Sequence, residues 1–66
     1  MTVNYKLRSL RIDKSITQRE LADFLYITVS AYSRKELGMR NFTIDEAGKL
    51  AELFDTTIES IFLGED

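Results

Sequence analysis

A chain of 66 residues with no cysteine and no histidine holds a single small domain and offers no disulfide, thiolate metal site, cysteine nucleophile or imidazole base. Its 44% hydrophobic and 30% charged content is that of an ordinary globular domain. A net charge of −2 argues, taken alone, against a polyanionic partner. The distribution of charge says otherwise. Through residue 40, eight basic residues face four acids, a local +4; from residue 41 onward Lys49 alone faces seven acids, a local −6. Such polarity is the cue for a basic working face and an acidic remainder. No apolar run reaches the roughly 18 residues of a membrane span. The start MTVNYKLRS lacks a signal peptide's apolar stretch, so a cytoplasmic protein without membrane contact is expected.

No proline, repeat or linker punctuates the chain, so its segments are found from helix starts. Residues 3 to 13 place Val3, Leu7 and Leu10 on one stripe beside Lys6, Arg8 and Arg11, the pattern of an amphipathic helix. Thr17 with Glu20 forms a capping box, opening a helix over residues 18 to 25 that carries Leu21, Ala22, Phe24 and Leu25. Thr28 opens a third helix over residues 29 to 37, with Ala31, Tyr32 and Leu37. A second capping box, Thr43 with Glu46, starts residues 44 to 54, where Ile44, Ala47, Leu50, Ala51 and Phe54 recur at spacings of three and four. Thr56 or Thr57 starts residues 57 to 63, with Ile58, Ile61 and Phe62, and Thr56 with Glu59 matches the box spacing. Nothing alternates for long enough to make a strand, and the prediction is an all-α fold. The adjacent carboxylates Asp45 and Glu46 do not face each other on a helix, and a helix-start role explains both. No enzyme, metal site, cofactor or small-molecule ligand is indicated.

The second and third helices are separated only by Tyr26, Ile27 and Thr28, and a small residue, Ala22, sits near the middle of the first of them. That is the geometry of a helix-turn-helix, at about residues 17 to 37, with Leu21, Leu25, Ile27 and Tyr32 as the wedge between its arms. The sequence resembles the phage repressor and Cro-like helix-turn-helix proteins, the Xre family. The resemblance rests on Leu7, Leu10 and Arg11, on Ile16 to Ala22, on Ile27 to Arg34, and on Glu36, Gly38, Arg40 and Asn41. It continues through Thr43, Ile44, Leu50, Ala51 and Ile58 to Phe62, nearly the whole chain.

The resemblance implies a compact five-helix bundle, a lambda-repressor-like domain spanning residues 1 to 66, whose third helix enters the major groove of double-stranded DNA. By position, Val29, Ser30, Ser33 and Arg34 would read base edges, Arg34 by bonding guanine O6 and N7 together. Gln18, Arg19, Thr28, Lys35, Arg40 and Asn41 would touch phosphate. Arg11 and Glu36 would form a buried ion pair tying the first helix to the end of the third. Ile58, Phe62, Leu63 and Met39, with Phe42 beside them, would supply a homodimer interface for a two-fold operator with half-sites roughly 34 Å apart. The implied function is sequence-specific transcription regulation, as a repressor. The alternative from another class is a protein-interaction module, antitoxin-like or an adaptor, that keeps the fold.

The sequence departs from the family pattern at a few points. Tyr26 stands where the family has a turn glycine, and Ser15 and Asp55 replace glycines at helix ends. Lys35 takes a position where many members bury an apolar side chain, and Gly48 lies inside the fourth helix.

Overall fold

The computed structural model describes residues 3–62. It contains five helices and, among the described residues, no strand: α1 Tyr5–Asp13, α2 Gln18–Phe24, α3 Val29–Glu36, α4 Ile44–Leu53 and α5 Ile58–Phe62. The all-α expectation holds. None of these helices is long and apolar enough to cross a membrane.

Threonine hydroxyls start four of the helices. Thr17 and Thr43 close full capping boxes with Glu20 and Glu46, and Thr28 Oγ1 accepts the Ala31 N–H at 3.0 Å. The fifth helix is capped by Thr57, whose Oγ1 accepts the Ser60 N–H at 3.0 Å, and not by the Thr56–Glu59 pair. Thr56 is already committed, because its N–H closes α4 on the Ala51 carbonyl at 2.9 Å. At the other end α1 begins at Tyr5 rather than Val3, since Asn4 is its cap and accepts the Leu7 N–H at 3.3 Å. The Asn4 N–H itself donates to the Glu36 carbonyl at 2.9 Å, pinning the start of the chain to the end of α3.

Helices α1 to α4 finish the same way. The residue after each C-cap has positive φ: Ser15 at 57°, Tyr26 at 60°, Gly38 at 81° and Asp55 at 53°. Each donates its N–H to the carbonyl three residues back, and its successor donates to the carbonyl five residues back, a Schellman motif. Glycine is free to adopt this conformation, whereas a side chain costs roughly 1 to 2 kcal/mol there. The helix-turn-helix turn thus keeps the family geometry with a tyrosine in place of glycine. Tyr26 is 87% exposed, and Lys49 Nζ lies 5.6 Å from its ring centroid, a contact that offsets part of the strain.

The core collects one stripe from every helix: Leu7, Leu21, Ala22, Leu25, Tyr32, Leu50, Ala51, Phe54 and Ile61. Ala22 is buried where α2 meets α3, and a larger side chain would spread the two arms. Phe42 is half-buried and packs between Tyr32 and Phe62, with ring centroids 6.0 and 5.4 Å away. Ile58 and Phe62 also lean on the core and are half-buried.

Gly48 has a simpler meaning than close helix packing: a Cβ built there meets nothing within 4 Å. Gly48→Ala should therefore recover about 1 kcal/mol of helix propensity and raise the melting temperature by about 4 to 8 °C. A thermal melt followed by circular dichroism checks this, and a fall in the midpoint would contradict the open space.

Candidate nucleic-acid interface

The sequence of α3, VSAYSRKE, splits its charges by helical position. Lys35 and Glu36 turn inward and are buried, while Arg34 stays at the surface in the last turn with Ser30 and Val29 exposed nearer its start. Ser33 is half-buried. The exposed face of α3 thus carries one cation, two hydroxyls and one branched apolar side chain, and no acid. Arg34 also sits where the negative end of the helix dipole favours a cation.

Glu36 is the internal organiser of this region. Its carboxylate accepts Nε and Nη2 of Arg11 at 2.9 and 3.1 Å, the hydroxyl of Tyr32 at 2.6 Å and Nε2 of Gln18 at 3.1 Å. Arg11 spends its remaining arm, Nη1, on the Ile16 carbonyl at 3.0 Å. One carboxylate therefore joins α1, α2 and α3. Burial pushes the Glu36 carboxyl up, but the bonds from Arg11, Tyr32 and Gln18 outweigh it and hold the group below its ordinary value. The Arg11 guanidinium is pushed up, chiefly by its hydrogen bond to Glu36, and burial together with the carboxylate raises the Tyr32 hydroxyl far out of range. The Gln18 amide, expected on phosphate, spends its Nε2 on Glu36, which fixes the side chain at the N-terminus of α2.

Lys35 does not join the exposed basic set. It is 9% exposed, and its Nζ lies 2.6 Å from Glu46 Oε1 at the start of α4 and 5.8 Å from the Phe42 ring centroid. The side chain follows the apolar course its family position implies, and a buried ammonium must then meet a carboxylate. Burial raises the Glu46 carboxyl, yet hydrogen bonds from Lys35 and Thr43 bring it below its ordinary value. No buried side-chain nitrogen or oxygen among the described residues lacks a partner.

The other proposed contacts flank α3. Arg19 is exposed in the first turn of α2, Thr28 is exposed at the N-cap of α3, and Arg40 and Asn41 are exposed in the loop before α4. Met39 is 56% exposed, and Leu63 lies outside the described residues. An open cleft of about 690 Å³ runs from this loop to α5, past Ile44, Ile58 and Phe62. No group of three acids, histidines or cysteines among the described residues could hold a metal.

Sequence reasoning missed the links from Tyr32 and Gln18 to Glu36 and from Lys35 to Glu46. Tyr32 and Glu36 are four apart on one helix, so their meeting was readable from spacing. The partner of Lys35 was not, since Glu46 is brought to it only by the turn between α3 and α4.

The two lowered carboxyls predict a stability that declines in acid. A group with a folded value below its unfolded one contributes stability above the unfolded value and loses it as pH falls through the folded one. Urea stability should hold down to about pH 5 and then fall below the ordinary glutamate value of 4.5. In Glu46→Gln this descent should be shallower than in the wild type. An unchanged slope would mean that Glu46 titrates alike in both states.

A helix-turn-helix family profile matches residues 7–61, from the third residue of α1 to the penultimate residue of α5. The HTH-type transcriptional activator BcrR of Enterococcus faecalis is 33% identical over 66 residues, which are 100% of this chain and 32% of that protein. The chain thus spans about a third of that relative's length. With the caps, the buried Ala22 and the exposed α3 face in place, the match assigns the chain to the Xre/Cro-type helix-turn-helix family of DNA-binding transcription regulators.

Proposed function

We propose that this domain binds double-stranded DNA sequence-specifically and regulates transcription, with α3 in the major groove. The observation that carries this reading is the sorting of charge on α3: Lys35 and Glu36 are consumed internally, and Arg34 alone of its charged side chains faces outward. Arg34 pairs with guanine, Ser30 and Ser33 bond base edges or phosphate, and Val29 meets a thymine methyl. Gln18, Arg19, Thr28, Arg40 and Asn41 hold the backbone on either side.

With one helix-turn-helix per copy, one copy reads one half-site, and half-sites one helical turn apart are separated by roughly 34 Å. We place two copies on a two-fold operator as a homodimer, with Met39 and the outer edges of Ile58 and Phe62 as the proposed contact. Whether occupancy represses or activates depends on where the operator lies. Repression by blocking needs nothing beyond this domain, whereas the relative is named an activator.

The test is selection of the purified protein against a random duplex pool near physiological salt, followed by anisotropy titration of the selected duplex and a scrambled control. Enrichment of a two-fold site bound about a thousandfold more tightly than the control establishes the reading. Equal, weak, salt-abolished binding to both leaves the fold and removes the DNA function, in favour of a protein-interaction module.

A further inference from the structure

The loop between α3 and α4 carries Arg40 and Asn41, and the structure fixes both of its ends to α3. At its start, the Gly38 and Met39 N–H groups donate to the Lys35 and Arg34 carbonyls at 3.1 and 2.9 Å. At its end, the Thr43 N–H donates to Glu46 Oε1 at 2.9 Å, while Thr43 Oγ1 accepts the Glu46 N–H at 3.1 Å. Lys35 Nζ reaches that same Oε1 at 2.6 Å. Main chain and side chain of one residue thus hold opposite ends of the loop. The ammonium crosses from α3 to the capping box of α4 and lies against Phe42, the residue between Asn41 and Thr43.

We propose that Lys35 is a positioning residue, which fixes the Arg40–Asn41 loop against the recognition helix through Glu46 and does not itself touch DNA. This rests on the DNA-binding reading. Without the ammonium, Glu46 would keep its capping bonds but lose the tie to α3, and the loop could shift relative to Arg34. Arg34 and Arg40 would then no longer meet bases and phosphates in one rigid frame, and binding would weaken with every phosphate contact still available.

Two readouts separate positioning from contact. Lys35→Met keeps the aliphatic stem and removes the charge. In the free protein, hydrogen exchange at Met39 and Thr43 should quicken roughly tenfold relative to Tyr32 in mid-α3, as for a local opening made easier by about 1.4 kcal/mol. On the selected duplex, affinity should fall while the slope of log affinity against log salt stays that of the wild type, because no phosphate contact is lost. Glu46→Gln keeps one acceptor oxygen but replaces the ion pair by a neutral hydrogen bond, so it should weaken binding in the same direction and by less, although it removes an anion and simple electrostatics would tighten it.

A salt slope shallower by about 0.9 in Lys35→Met, with loop exchange unchanged and Glu46→Gln binding as well as or better than wild type, would show a phosphate contact and overturn the proposal. If Lys35→Met does not fold, the double variant Lys35→Met/Glu46→Gln leaves no buried charge unpaired and carries the same two readouts. If the wild type binds no duplex, the DNA reading fails and the functional half of this proposal with it. The exchange measurement still decides whether Lys35 holds the loop.

Discussion

Glu36→Ala is expected to remove most of the domain's stability. The substitution strands a guanidinium, a phenol and an amide that together send four hydrogen bonds to one carboxylate. The Arg11 side chain is only 12% exposed, so the charge cannot simply return to water. Breaking such a pair from one side costs about 3 to 5 kcal/mol. A domain of this length has only about 3 to 10 kcal/mol in total. Urea unfolding followed by circular dichroism should show either a midpoint near zero denaturant or no folded baseline. Glu36→Gln keeps the shape and one acceptor oxygen, and should be damaged less. A loss under about 1 kcal/mol in Glu36→Ala would place the pair among weak surface ion pairs and contradict the hub.

Arg34→Ala has the second largest expected effect, on discrimination and not on folding. The side chain is exposed, so its removal should leave the melting temperature nearly unchanged. On the selected operator it should cost about 1 to 3 kcal/mol, a factor of about 5 to 150, confined to one or two base pairs. On the proposed reading, in which Gln18 stands on phosphate at the start of α2, Gln18→Ala should weaken operator and scrambled duplex alike. Competition titrations with single-base variants of the operator read the difference. Equal losses on every duplex for Arg34→Ala would reassign it to the backbone.

The fold was legible because its signals are local. Threonine caps, two capping boxes and apolar spacings of three and four mark all five helices to within two residues at either end. The positive-φ positions were legible as well, through Ser15, Tyr26 and Asp55 standing where a glycine is usual. What escaped was decided by distance in space. Thr56 and Thr57 are equivalent caps until α4 is known to end on the Thr56 N–H. Lys35 reads as a surface cation until α4 brings Glu46 within 2.6 Å. Gly48 is ambiguous until its surroundings prove empty. The side chains meant for the site divide likewise: Arg34 follows from helix phase alone, whereas the Gln18 amide also bonds a carboxylate 18 residues away, which spacing does not reveal.

The four Schellman ends bear on how the domain fits a duplex. Each turn is closed by two main-chain hydrogen bonds, and two of the residues that follow, Ile16 and Ile27, pack against the core. Opening any junction would break both bonds and pull on the elements beside it, so the chain has no inexpensive hinge among them. On the DNA-binding reading, adjustment during docking would then fall to the duplex more than to these junctions. Sequences whose central steps kink or narrow at low cost would then be favoured at base pairs that no side chain reaches.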